Sequence, residues 1–144
     1  MDHDILSIRV RHQPGYTIIA AAGEIDIFTV SRLHDQLFTV ASDGLPLIAA
    51  LYRVIFIGAT GLGALAGAAR RAAAHGTSLH VVCARPQTRQ LLHLAGLDRT
   101  LRLARILAEA LQALPAAPDH PAAQATRPPE PVPAPLAGDD DDAG

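Results

Sequence analysis

Residues 47–63 read LIAALYRVIFIGATGLG, and this stretch decides the fold. It contains most of an apolar run at 46–51, which the pattern allows to extend to Ile57. A strand that is apolar on both faces is typical of the centre of a sheet that carries helices. Small residues begin at Gly58, and apolar residues then recur at helical spacing over 60–75. The stretch therefore predicts a central strand that leads through a short turn into a helix.

Strand and helix patterns continue to alternate on both sides of this unit. Four further strand patterns lie at 6–11, 16–22, 78–83 and 101–103. Three further helical patterns lie at 28–42, 86–95 and 106–114. The first two strands can pair as a hairpin, whereas helices separate the later strands and require parallel crossovers. We predict an α/β fold with a mixed sheet of about four to five strands and about four helices.

Charge and proline content divide the 144-residue chain into two parts. Residues 1–114 carry eleven Arg against eight Asp and Glu, whereas residues 115–144 carry one Arg against six acidic residues. Eight of the eleven prolines follow Leu114, where large apolar side chains are scarce. We predict a folded domain over 1–114 and a disordered, Pro- and Ala-rich acidic tail over 115–144.

The composition excludes several classes of function. A formal net charge of −2 argues against direct nucleic-acid binding. The chain has no basic leader followed by an apolar run, and no stretch approaches the ~18 apolar residues of a membrane span. We therefore expect a cytoplasmic protein without membrane insertion.

The polar residues show no pattern of an enzyme or a metal site. The seven His are scattered, and the single Cys83 lies in an apolar run that is typical of a core position. Glu24 and Asp26 would share one face of a strand, as an acid/base pair requires, but no nucleophile or cofactor motif accompanies them. We interpret them as solvated acids at a strand end, and we expect no catalytic residues, no metal and no cofactor.

The turn before the central helix is the most informative feature. Thr60 is placed to cap the helix with its hydroxyl oxygen. The free N–H groups of a helix start also favour an anion or a phosphoryl group. The turn lacks the Gly-Lys-Ser/Thr ending of a Walker phosphate loop, so the spacing does not predict that kind of nucleotide site.

Three motifs resemble those of the STAS domain of bacterial anti-sigma factor antagonists. Residues 23–26 are similar to the family's Gly-Glu-Leu-Asp, and residues 60–65 to the second half of its Asp-Ser-Ser-Gly-Leu-Gly signature. Residues 91–98 are similar to its Leu-Leu-x-x-x-Gly-Leu. The motifs follow the family's order and spacing, and the resemblance covers about residues 5–114. It implies a domain that acts by binding a protein.

The resemblance implies a binding partner and a phosphorylation switch, but the chain lacks residues that the switch normally uses. In the family the domain binds an anti-sigma factor that is also a serine kinase, which releases a sigma factor. The kinase can phosphorylate the serine after the signature Asp. Here these two positions are Gly58 and Ala59, and the acidic residue usual near the end of the preceding strand is replaced by Ala50. Only Thr60 keeps a hydroxyl. We therefore expect the usual switch to be lost or altered, with Thr60 as the candidate acceptor.

The resemblance also implies a partner-binding surface made of two loops. Its expected residues are Asp26, Ile27, Phe28, Thr29, Gly58, Ala59, Thr60, Gly61, Leu62 and Gly63. Phe28 fits an interface and a core position equally well. A bulky β-branched residue at Gly61 is expected to weaken partner binding more than it unfolds the domain.

Two alternative functions stay open at this point. One is a soluble STAS module of a stress-signalling or transporter complex. The other is a module that binds a small ligand or nucleotide at the helix start. The sequence leaves the oligomeric state open.

Overall fold

A computed structural model of the chain describes residues 5–114. The predicted tail at 115–144 lies outside the described residues, and the predicted domain boundary stays a prediction. The strands are β1 (Leu6–Gln13), β2 (Tyr16–Ile25), β3 (Leu47–Ile57), β4 (Leu79–Val82) and β5 (Arg102–Ala104). The α-helices are α1 (Val30–Ala41), α2 (Ala59–Ala74), α3 (Pro86–Leu94) and α4 (Leu107–Ala113). A 3-10 turn at Leu97–Arg99 connects α3 to β5.

The five strands form one mixed sheet in the order β1-β2-β3-β4-β5. β1 and β2 are antiparallel and pair through a tight hairpin, while each later strand is parallel to its neighbour. Gly15 in the hairpin has a φ of 88°, a left-handed conformation that glycine adopts without steric cost. The prediction of a mixed sheet with a hairpin followed by parallel crossovers is confirmed.

The main core lies between one face of the sheet and the helices α1 and α2. Leu33 and Leu37 of α1 lie one turn apart and are buried there. α2 instead buries small residues at every fourth position, Ala64, Ala68 and Ala72. Small side chains allow a helix axis to approach the sheet closely, so α2 and the turn before it lie tight against the strand ends.

A smaller core covers only part of the opposite face of the sheet. Ile48 of β3 and Val82 of β4 are buried there with Ala110 of α4. Tyr16 and Ile18 at the start of β2 pack against the same cluster. α4 therefore covers this face of the sheet beside the amino-terminal half of β3. Among the described residues, no helix is long and apolar enough to cross a membrane.

The second half of β3 differs from the prediction of a strand buried on both faces. Residues 47–51 are buried as expected, but Tyr52, Ile55 and Phe56 are exposed. β4 pairs only with residues 47–50, so β3 extends beyond it. The register between β2 and β3 also shifts twice, which breaks the regular alternation of side chains. Neither the length of β4 nor the two bulges can be read from the apolar run.

Candidate functional site

The turn between β3 and α2 is shaped by Gly58. Its N–H donates to the carbonyl oxygen of Ile25 at 2.9 Å, and its own carbonyl accepts from the N–H of Leu62 at 3.1 Å. Gly58 has an extended backbone and occupies the N-cap position of α2, which begins at Ala59. The expectation that Thr60 caps this helix is wrong. Thr60 already lies in the first helical turn, and no side chain caps α2.

The residues of this turn differ strongly in their exposure. Ala59, Thr60 and Gly63 are exposed, and Gly58 and Leu62 are half-buried. Gly61 is buried: a Cβ atom there would lie 2.6 Å from Cγ2 of Ile25 and 2.7 Å from Cγ1 of Ile57. Direct contact between a partner and Gly61 is therefore not available. A β-branched residue at this position would first disrupt the packing of α2 on the strands, contrary to the expectation from sequence.

The loop between β2 and α1 is held by its own polar residues. One carboxylate oxygen of Asp26 accepts the N–H groups of Phe28 at 2.9 Å and Thr29 at 3.1 Å. The Thr29 hydroxyl donates to the carbonyl of Glu24 at 2.9 Å and accepts the N–H of Asp26 at 3.0 Å. This arrangement buries Thr29, so its side chain is hardly accessible to a partner. The expectation from sequence that Thr29 contacts a partner is corrected accordingly. Asp26 and Thr29 fix the loop conformation.

This loop holds two large apolar side chains in solvent. Ile27 is 67% exposed and Phe28 is 82% exposed. Of the two alternatives for Phe28, the structure therefore favours an interface residue over a core residue. A monomeric domain gains nothing from a large apolar side chain in water, and hydrogen bonds of its own loop keep Phe28 there.

The two loops lie side by side because the ends of their strands are paired. Ile25 and Ile57 are partners in the sheet, and the N–H of Gly58 continues this ladder. We call the accessible part of the two loops the docking face. It consists of the half-buried Asp26 together with Ile27, Phe28, Gly58, Ala59, Thr60, Leu62 and Gly63. Asp26 is the single charged residue of the docking face, and its carboxylate accepts N–H groups of its own loop. The face otherwise offers apolar atoms, backbone groups and one hydroxyl.

The fold and this pair of loops define a protein class. The sequence pattern of the STAS domain matches residues 7–110, and the chain belongs to the STAS domain family. Among known relatives, it is 32% identical over 109 residues to the anti-sigma-F factor antagonist RsfB of Mycobacterium tuberculosis strain H37Rv. The match covers 75% of this chain and 88% of RsfB.

Solved structures give the same result. The crystal structure of an anti-sigma factor antagonist from Mycobacterium paratuberculosis superposes with a TM-score of 0.71 and 33% identity. This match covers 77% of the present chain and 95% of the other. The anti-sigma factor antagonist SpoIIAA in its unphosphorylated form gives a TM-score of 0.62 at 20% identity, over 74% of this chain and 94% of SpoIIAA. The latter match shows the shared fold alone.

The described residues include one polar pair that sequence reasoning missed. His93 Nδ1 and a carboxylate oxygen of Asp98 lie 2.7 Å apart on the surface. The hydrogen bond from His93 lowers the pKa of the Asp98 carboxyl below its ordinary value. No group of three or more His, Cys, Asp or Glu in residues 5–114 is suited to hold a metal ion. The pair spans α3 and the turn after it, so it fastens the end of that helix.

Proposed function

We propose that this chain acts by binding an anti-sigma factor through the docking face, and that binding releases a sigma factor. The observation that carries the proposal is the exposure of Phe28 at 82%, held by the Asp26 carboxylate. Large aromatic residues that are fixed in solvent are typical anchors of protein interfaces. The identity to RsfB supports the kind of partner. The chain itself catalyses no reaction in this proposal.

The proposal includes the loss of the ordinary serine switch. Ala59 has no hydroxyl to accept a phosphoryl group, and Gly58 has no carboxylate beside it. Thr60 bears the single hydroxyl of the turn, and it is exposed. A phosphate of about −1.5 to −2 charges on Thr60 would add negative charge to a mainly apolar face and oppose binding. Any phosphorylation that controls this face therefore has to use Thr60.

The proposal is tested by calorimetric titration of the full-length chain with the anti-sigma factors encoded in its own genome. We expect a stable complex with one of them, accompanied by release of its sigma factor. Phe28→Ser should weaken binding by about tenfold or more, because a buried aromatic anchor is lost. Leu94→Ser is the matched control, since Leu94 is 70% exposed on α3, outside the docking face. Absence of a complex with every anti-sigma factor would contradict the proposal.

The same titration, repeated after incubation with the kinase and ATP, tests the switch. The wild-type chain should keep its affinity unless mass spectrometry finds phosphate on Thr60. The double variant Gly58→Asp/Ala59→Ser, which restores the signature residues, should accept phosphate at position 59 and lose affinity. Stoichiometric phosphate on the wild-type chain at any residue other than Thr60 would refute the assignment.

A further inference from the structure

The carboxyl-terminal half of β3 adds an apolar surface beside the docking face. Tyr52 is 53% exposed, Ile55 59% and Phe56 52%. With Ile27 and Phe28, these residues make up five of the nine large apolar side chains that are exposed among the described residues. Exposed apolar residues that are scattered singly are ordinary, whereas a concentration at one end of a sheet marks an interaction surface.

This surface is continuous with the docking face. Phe56 pairs with Glu24 of β2, and the next residues, Ile57 and Ile25, pair at the base of the two loops. The ring of Phe56 lies 3.5 Å from the position that a Cβ atom on Gly58 would take. The aromatic ring therefore packs beside the turn, and the exposed apolar side chains of β3 adjoin the docking face directly.

The half-covered sheet explains why these side chains are not covered by other parts of residues 5–114. α4 packs over Ile48 and Val82 at the amino-terminal half of that face. β4 ends at Val82, and α3 begins at Pro86. On this face, the buried cluster under α4 contains no residue from the second half of β3, whereas α2 packs against Val54 and Ile57 on the other face.

We infer that the anti-sigma factor covers Tyr52, Ile55 and Phe56 together with the docking face, through an apolar surface of its own. The inference rests on the proposed function and names the chemistry of that partner's surface. In residues 52–63 the only charged side chain is Arg53, and the neighbouring residues 24–29 add the half-buried acids Glu24 and Asp26. The partner surface should therefore be mainly apolar, with polar groups at its rim opposite these three side chains.

Two variants on β3 test the extension by titration of the full-length chain with the anti-sigma factor. Ile55→Thr and Phe56→Ser should each weaken binding by about tenfold, because each removes apolar surface that the complex buries. Leu94→Ser, which replaces an exposed leucine of α3, should bind like the wild type. Affinity should change little between low and high salt, since apolar burial is not screened by ions.

A second measurement needs no variant and therefore cannot be confused with misfolding. Amide hydrogen exchange of the wild-type chain should slow in residues 52–57 when the anti-sigma factor is added. Unchanged exchange there, in a complex that does form, would overturn the inference.

The outcomes separate the two proposals. If Phe28→Ser weakens binding while both β3 variants bind like the wild type, the extension is wrong and the proposed function stands. If the wild-type chain forms no complex with any anti-sigma factor, both are wrong. If sedimentation shows a dimer of this chain that Phe56→Ser dissociates, a second copy covers the surface and the inference is overturned.

Discussion

At the scale of single residues, the one carboxylate in the site is used within the domain. Asp26 accepts two N–H groups of its own loop and so fixes the direction of Phe28. Its family resemblance suggested a contact with the partner, whereas its geometry gives it a positioning role. Such a role explains how a mainly apolar docking face depends on an acidic residue.

Asp26→Ala should lower both stability and binding. Loss of the charged acceptor removes the partner of the Phe28 N–H and leaves the Thr29 N–H with the Asp26 carbonyl oxygen alone, which costs about 1 kcal/mol in the free energy of unfolding. Binding should weaken further because Phe28 is no longer pre-positioned. Urea unfolding and calorimetric titration measure the two effects.

Two substitutions separate this role from a loss of charge alone. Asp26→Asn keeps an acceptor oxygen and should recover most of the affinity. Asp43→Ala removes an exposed carboxylate after α1 and should change neither quantity. Equal loss of affinity in Asp26→Ala and Asp26→Asn would show that the partner contacts the charged carboxylate of Asp26 directly.

At the scale of elements, two of the three glycines of α2 have opposite surroundings. A Cβ atom on Gly61 would lie under 3 Å from side-chain atoms of Ile25 and Ile57, whereas one on Gly63 would meet nothing within 4 Å. Gly61 permits close packing of the helix on the strands. Gly63 leaves an exposed helical position with more backbone freedom than alanine would have.

The two alanine variants should therefore change stability in opposite directions. Gly61→Ala should lower the free energy of unfolding by about 1–3 kcal/mol through overpacking. Gly63→Ala should raise it by about 0.5–1 kcal/mol through helix propensity. Chemical denaturation of both variants measures the difference, and a shift in the same direction would contradict the packing described for the start of α2.

The positions of the strands and helices were easier to predict from sequence than the exposure and packing of their residues. The apolar patterns located the five strands and four helices of residues 5–114, because amphipathic helices, half-exposed strands and fully buried strands each have a distinct pattern. The exposure of Ile55 and Phe56 could not be predicted, since it arises from strand register and from the shortness of β4. The buried state of Gly61 likewise depends on how α2 approaches Ile25, a residue distant in sequence. Local patterns contain neither kind of information.

At the scale of the whole molecule, His80 couples folding to pH. It is 1% exposed in β4, its Nε2 lies 2.9 Å from the Ser78 hydroxyl, and its Nδ1 has no hydrogen-bond partner among the described residues. Burial lowers the pKa of the His80 imidazole, and the nearby charge of Arg102 lowers it further. The folded domain therefore keeps this imidazole neutral at a pH where the unfolded chain already binds a proton.

The free energy of unfolding should consequently fall as the pH drops below the ordinary histidine value of ~6.5. His80→Leu removes this contribution, so its stability should depend less on pH over the same range. Urea unfolding at a series of pH values measures both curves. Parallel curves for the wild type and the variant would show that His80 is not the group responsible.

The extension of β3 beyond β4 also leaves an edge of backbone N–H and C=O groups that no strand within residues 5–114 pairs with. Such an edge can template pairing between copies and lead to aggregation. The two bulges bend this strand edge, and Arg53 places a charge on it. Both features oppose pairing between the edges of two copies. The chain without a partner should therefore aggregate more readily than the complex. Co-production with a partner that covers this edge of β3 should improve the yield of the chain.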